Sequence, residues 1–522
     1  MGVSSKLFTK VPVQIPNKSG FYEGHENLFT APVGTLVPVL VDELLPNDTI
    51  SLGVSSQISL PPVCDFYGRV YGEFNAFFVP NRLLYGGWQE LITHPVNGDQ
   101  YPSGTTDKQM AKYLPKISLP SGSHGAGSLA DYLGFKVSTN GAFTVNNPLP
   151  FFAYHKIWDD WYRDSRLQRS CFERTSGRYP SNLPYVTYYG SSPEMLSGNL
   201  ADSVPVHSLR QRNWHRDYFT NATVKPQAGD ASTLGFSVTG TVSGSTVNGQ
   251  GAFTIASLRA ANALQQWLER NNIAGDRYAD QIKAQFGILP SDATMDRAIY
   301  LGSSRVQVYN KSVYQSQSGT TDSGKNPFST VGSKYGSPLG VGDGSLVDKF
   351  TATEHGFIMV LFSLIPDPVY GTGIHRMFNR SSSADFAFPL LAGVGDQEIR
   401  NDELISLFND GTFGYTQRYA EYKTKESSVH GLLRDGQSLE SFCLKRSFDT
   451  VPVLGSSFLE IPKTALDEVA AASSTITSNF GCWVDAWFEF KKSSTLPAYS
   501  IPTLGDPKDT HTEIIPNGGR RL

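Results

Sequence analysis

The chain has 522 residues, 18% of them charged, and its 44 Lys and Arg against 48 Asp and Glu give a formal net charge of −4. That balance excludes a protein that coats nucleic acid with its whole surface, while leaving room for a local basic face. Aromatic residues at 12%, with 49 Gly and 31 Pro, favour strands and turns over long helices. Such a length buries a sizeable core, and β-rich domains with long insertions reach it as single units.

Taken in order, residues 1–33 are polar, carry prolines at 12, 16 and 32, and read as an extended N-terminal arm that orders on neighbouring subunits. MGVSSKLFTKVPVQIP has no apolar core long enough for a signal peptide, and MGVSSK is only a short match to a myristoylation pattern. No apolar run approaches the ~20 residues of a membrane span. The expected protein is soluble and made in a cytoplasm.

Three apolar runs follow, Leu36–Val41, Ile50–Leu60 and Val70–Val79, broken by Pro46–Asn47–Asp48 and Pro61–Pro62. In the third, Val70, Gly72, Phe74, Ala76 and Phe78 alternate with Tyr71, Glu73, Asn75 and Phe77. A period of two rich in Val, Phe and Tyr predicts a half-buried strand, which Pro80–Asn81 stops because proline cannot donate to a ladder. Residues 97–147 are Gly-, Ser-, Thr- and Asn-rich loop, with a short helix or strand near Leu129–Phe135.

The pattern then turns helical. Tyr154, Ile157, Trp158, Trp161 and Tyr162 recur at helical spacing, as do Leu258, Ala261, Leu264, Trp267 and Leu268 within 255–271. A third helix is predicted over 276–286, with Gly287 as its C-terminal cap and Pro290 beyond. Residues 222–252 and 315–348 are Gly/Ser-rich and predict exposed loops. Strand character returns at Gly356–Ile365, whose unbroken apolar run predicts burial on both faces, and at Phe480–Lys491, which alternates. Strands at both ends with helices and loops between imply one β-domain with insertions; in particular, Val70–Val79 and Gly356–Ile365 should share one sandwich.

The chemistry-bearing motifs are few. GxSxG, Walker, HExxH and paired CxxC patterns are absent, so no enzyme, cofactor or metal site is expected. Cys64, Cys171, Cys443 and Cys482 lie far apart and read as scattered buried thiols, with disulfides or zinc as alternatives. Glu354–His355 and His375 read as hydrogen-bonded strand ends before an acid/base or metal cluster. Asp159 and Asp160 point ~100° apart on a helix, so they would not flank one glycosidic bond; a solvated face or ion pairs to Arg163 and Arg166 suit them better. One constellation is basic and aromatic. Arg163, Arg166, Arg169, Arg174 and Arg178 interleave with Phe172 and Tyr179, and Arg210, Arg212, His215 and Arg216 cluster with Trp214, Tyr218 and Phe219. Single-stranded DNA needs phosphate neutralisation and stacking platforms, which these residues supply. Ion pairing with Asp164, Glu173 and Asp217 is the structural alternative.

LVPVLVDELLPNDT followed by FNAFFVPNRLLYGGWQE resembles the opening of the major capsid proteins of the small single-stranded-DNA bacterial viruses, the microviruses (Microviridae), and most of all their gokushovirus branch. NPLPFFAYHKIWDDWYRD, LRQRNWHRDYFT, LRAANALQQWLER, RYADQIKAQFG, EHGFIMVLFSL and FGYTQRYAEYKTK are similar to successive blocks of the same family, in its order. The resemblance implies a mainly β protein: an eight-stranded antiparallel jelly-roll sandwich over 34–522, with insertions at about 97–147 and 148–348 and a C-terminal tail from about 498. It also implies a virion protein in roughly sixty copies, in a T=1 icosahedral capsid around a circular single-stranded DNA genome, with a small basic DNA-packaging protein among its candidate partners. Gokushoviruses build a threefold spike from a long variable insertion; the segment 222–252 is short for one. The rival expectation is a β-sandwich that binds or cleaves glycans, suggested by aromatics in a β-rich chain.

Overall fold

In a computed structural model the described residues are 18–60, 66–86, 88–93, 114–135, 141–172, 202–226, 296–309, 339–406, 411–466 and 481–498, with short pieces within 195–200, 259–270, 283–287, 313–314 and 334–335. Nine strands make the body: β1 (Ser19–Tyr22), β2 (His25–Ala31), β3 (Val37–Leu44), β4 (Thr49–Ser59), β5 (Val70–Pro80), β6 (Ile299–Val308), β7 (Leu339–Thr351), β8 (Gly356–Pro366) and β9 (Cys482–Ser494). They form two antiparallel sheets. One is ordered β1-β9-β4-β7, with β2 also on β9; the other is β3-β8-β5-β6.

Alternation sets the contacts between the sheets. Ile50, Leu52, Val54 and Ile58 of β4 and Val484, Ala486, Phe488 and Phe490 of β9 face Val70, Phe74 and Phe78 of β5 and Ile358, Val360 and Phe362 of β8 in one buried cluster. The rings of Phe74 and Phe362 lie 4.9 Å apart, and truncating either to alanine would cost ~3–5 kcal/mol. A Cβ at Gly72 would meet Ile58 Cδ1 of the facing sheet and crowd the Phe362 ring, so any larger residue there forces the buried Ile58 side chain to move. The expected pairing of Val70–Val79 with Gly356–Ile365 in one sandwich is met directly: β5 and β8 are neighbours in register from Gly356↔Pro80 to Pro366↔Val70.

β8 is buried along its whole length, as its unbroken apolar run predicts. Its second face, Phe357, Met359 and Leu361, packs with Phe77 and Val79 of β5 beneath helix α1 (Leu149–Ile157), which supplies Phe151, Phe152, Tyr154 and Ile157. The same cover buries both faces of β5 from Phe74 to Pro80, so this strand is not half-buried as alternation alone predicts. By contrast, the outer face of the other sheet leaves Trp483, Asp485, Trp487 and Glu489 exposed.

Three boundaries differ from the sequence reading. Residues 315–348 are predicted as an exposed loop, but 339–351 form β7, which pairs with β4 and buries Leu346 and Val347 in the core. Residues 19–31 are strands of the chain's own sheet: β2 pairs with Cys482–Phe488 and β1 with Lys491–Ser494 of β9. A free arm over 1–33 is therefore corrected for this part, since an uncovered β9 edge would leave a row of unpaired backbone groups; residues 1–17 lie outside the described residues. Between β8 and β9, residues 367–481 form a further insertion that was not anticipated. With Tyr218, Phe219 and Ala222 it forms a separate apolar cluster, in which Phe219 packs on Tyr370 and Phe413 on Phe458, with ring centroids 4.7 and 4.9 Å apart.

Elsewhere the expected loops and helices are met in part. Residues 97–147 contain a short helix at Leu129–Tyr132 and a strand pair, Lys116–Leu119 with Phe143–Val145. Residues 262–267 and 283–286 are helical, and Gly287 adopts the left-handed conformation (φ 71°) that lets it end the second of these. Of 222–252, Ala222 is buried and Thr223 bonds the Tyr415 backbone in both directions at 2.8 Å, so the expected exposed loop does not begin at 222. Residues 227–252, Pro290 and the tail from 499 lie outside the described residues.

Candidate nucleic-acid interface

Helix α1 ends in a widened π turn, Trp158–Tyr162, closed by Arg163 N donating to Trp158 O at 3.0 Å. The turn and the strap 202–220 form a seam against the covered sheet. Tyr154 ties them together, its hydroxyl donating to Leu36 O at 2.8 Å and accepting from Arg210 N at 2.7 Å. Trp158 Nε1 donates to Gln211 O at 3.1 Å.

Most of the predicted arginines are consumed inside this seam. Arg210 is buried: it pairs with Asp202 at 2.5 Å, donates through Nε to His155 Nδ1 at 3.0 Å, reaches Cys171 Sγ at 3.0 Å and lies 4.4 Å over the Trp158 ring. Arg212 pairs with Glu73 of β5 at 3.1 Å and donates to Ser363 of β8 at 2.8 Å. Arg163 pairs with Asp159 at 3.0 Å, and Arg166 grips Asp164 through two nitrogens while donating to Asn221 O. Asp160 pairs with Lys156, not with Arg166, and accepts from Ala298 N at 2.7 Å. Trp214 is buried beneath the Arg446 guanidinium, so it offers no open stacking face. Phe172 is half-buried with Lys156 Nζ 5.7 Å from its ring.

Arg169 and Arg216 are exposed. The Arg216 side chain is 66% exposed and stands 3.7 Å from Asp164 at the mouth of a cleft of about 210 Å³ that Trp161, Arg212, His215 and Thr220 help to line. Arg174 lies outside the described residues.

The electrostatics match this placement. Burial raises the Glu73 carboxyl, but the Arg212 charge and the hydrogen bonds from Asn75 and Arg212 more than offset it, leaving the group below its usual range. Asp164 is likewise held low, its burial outweighed by the Arg166 hydrogen bonds and charge. Burial, then the Arg210 charge, keeps His155 neutral well below the usual histidine range; its Nε2 donates to Val206 O at 2.8 Å while Nδ1 accepts from Arg210. Burial pushes the Cys171 thiol well up, so it is no nucleophile. Cys171, Cys443 and Cys482 are buried, and Cys64 lies outside the described residues. Glu354 pairs with Arg82 at 2.9 Å, His375 Nδ1 accepts from Met377 N, and no group of three metal-ligating side chains occurs among the described residues.

Comparison with known proteins decides the family. The family described as "Capsid protein (F protein)" matches residues 9–504. The chain belongs to the capsid protein (F protein) family. It is similar to capsid protein VP1 of Chlamydia phage 1, at 29% identity with 96% of this chain and 98% of that protein covered. VP1 of Bdellovibrio phage phiMH2K is 27% identical over 95% and 97% of the two chains, and VP1 of Spiroplasma virus 4 is 24% identical over 93% and 95%.

This capsid protein is thus a structural component of the virion, and its arginine seam fastens an insertion to the two-sheet antiparallel body. Sequence reasoning named the cations and, of their anions, Asp159 and Asp164, but missed Glu73 and Asp202. Glu73 and Asp202 stand 139 and 8 residues from their partners; only the second was within reach of a local search.

Proposed function

We propose that about sixty copies of this capsid protein close into an icosahedral T=1 shell around a circular single-stranded DNA genome. The observation that carries this reading is the family match over nearly the whole chain, joined to the strand order of the body. If β1 and β2, which pair successive stretches of β9, count as one interrupted strand, the sandwich has four strands on four. It then reads as an eight-stranded jelly roll, a fold that wraps its edges and leaves its loops for neighbours. Size-exclusion chromatography and electron microscopy of the expressed protein test this. A megadalton hollow particle is expected; a monomer of 57.1 kDa under all assembly conditions would refute it.

With a net charge of −4 per chain, the shell does not neutralise a genome by bulk charge. Of the predicted arginines, the exposed Arg216 beside the His215 cleft is the one best placed to meet a phosphate, and Arg163, Arg166, Arg210 and Arg212 act as structural cations. Arg216→Ala is expected to lower genome retention most at high salt while shells still form. Retention equal to wild type at every salt concentration would remove this contact and leave neutralisation to a small basic partner or bound cations.

A further inference from the structure

Within the insertion 367–481, the segment 376–394 turns an apolar surface outward. Met377, Phe378, Phe386, Phe388, Leu390 and Val394 are all exposed, Phe378 at 72% and Leu390 at 91%. Taking ~200 Å² for a phenylalanine side chain, they present on the order of 700 Å² of apolar surface. That exceeds the largest patch of a typical monomer (~300–600 Å²) and approaches the ~800 Å² each partner gives to a standard protein interface.

The surface is held in place from beneath by polar anchors. Arg376 pairs with Glu403 at 2.9 Å, and Arg380 pairs with Glu421 at 3.2 Å while lying 4.5 Å over the Tyr422 ring and 5.6 Å from that of Phe386. Asp385 accepts from Ser381 N and Ser382 N at 2.9 and 2.7 Å, and Tyr419 Oη accepts from Phe388 N at 3.3 Å. A fixed apolar surface loses little conformational freedom when it is covered, which is what a recurring contact needs. Its chemistry also narrows the occupant. Phe386–Gly395 contains no charged residue, so it offers nothing to a phosphate backbone.

We propose that 376–394 is a subunit contact, covered in the assembled particle by a second copy of this chain. The inference rests on the capsid reading, because that reading supplies the second copy in abundance; the matched area supplies the rest.

The test uses the full chain. Wild type should form closed particles, and Leu390→Asp with Phe378→Asp should lose at least ten-fold of the particle yield in sedimentation velocity while circular dichroism remains that of the folded subunit. Particles at wild-type yield would overturn the proposal without touching the capsid reading. Failure of wild type itself to assemble would instead refute that reading, and this inference with it. Should the double variant unfold, a photo-crosslinking p-benzoylphenylalanine at position 390 in otherwise native particles decides the matter. A chain-to-chain adduct supports the contact. An adduct within one chain, to DNA or to another virion protein overturns it.

Discussion

The buried Arg210–Asp202 pair carries the sharpest consequence of reading the seam as structural. Both side chains are more than nine-tenths buried and 2.5 Å apart, and Arg210 also serves His155 and Cys171. Asp202→Asn would strand a guanidinium without its anion, at ~3–5 kcal/mol; Arg210→Met would strand the carboxylate and leave His155 Nδ1 without its donor, at a similar cost. The double variant removes both charges, so its loss should fall well short of the sum, with a coupling of ~2–3 kcal/mol. Urea unfolding of unassembled subunits measures this. Trp158, 4.4 Å beneath the Arg210 guanidinium, serves as the local fluorescence probe and far-UV dichroism as the global one. Single variants that are near-neutral, or that add to within ~0.5 kcal/mol, would refute the structural role and return Arg210 to the pool of residues free for a ligand.

Two further predictions concern pH. His155, kept neutral when folded, takes up a proton on unfolding, so stability is whole above pH ~6.5 and falls below it by up to ~1.4 kcal/mol per unit. His207 and His215 shift the same way, so in urea titrations between pH 5 and 7 His155→Asn should reduce the slope by one proton rather than abolish it; an unchanged slope would refute the assignment. Glu426 is opposite in sign: burial and the Asp217 charge push its carboxyl up to about 7, so its protonated form favours the fold at low pH and that stability is lost as pH rises through 7. Allowing for its partial exposure, Glu426→Gln should stabilise the subunit by ~1–2 kcal/mol at pH 8 and by nothing at pH 4, read from urea midpoints; equal effects at both pH values would contradict this.

Legibility in the sequence tracked how local each cause was. β5, β8 and β9 were readable because alternation, or its absence, records which faces a strand buries, and Pro80 marked an end that sterics enforce. β1 and β2 were not: His25–Ala31 is short, polar and mostly exposed on one side, and its reason for being a strand is β9, some 450 residues away. The insertion 367–481 was invisible as a unit because its described elements are 3₁₀ turns, isolated bridges, one helical turn and a strand pair of four and five residues, all too short to show a period. At the candidate site, a run of arginines interleaved with aromatics has the same composition whether it meets phosphates or carboxylates. What distinguished the two was Glu73 on a strand and Asp202 in a strap, both brought to the arginines only by the fold.

That outcome changes where a genome's countercharge must come from. Each arginine fixed to a carboxylate contributes nothing to the field outside, so the seam arginines, though cationic, leave the subunit's exterior about as acidic as its formal charge of −4. Of the seven arginines proposed from sequence as DNA ligands, Arg163, Arg166, Arg210, Arg212 and Arg216 each have a carboxylate partner within the chain, and Arg216 is the one of these five that stays exposed beside an open cleft. The two of these arginines that are exposed, Arg169 and Arg216, are far too few for a packaged strand. The sequence keeps another reserve: residues 1–22 carry Lys6, Lys10 and Lys18 and no Asp or Glu, the first acid being Glu23. They enter the body at β1, on the edge of the sheet whose outer face bears Trp483 and Trp487. If the shell supplies countercharge from its own chain, this segment is one source the composition offers, and a variant with Lys6, Lys10 and Lys18 changed to Gln should then lose more genome at high salt than Arg216→Ala does. A smaller loss than Arg216→Ala would shift the burden to a separate basic partner or to bound cations.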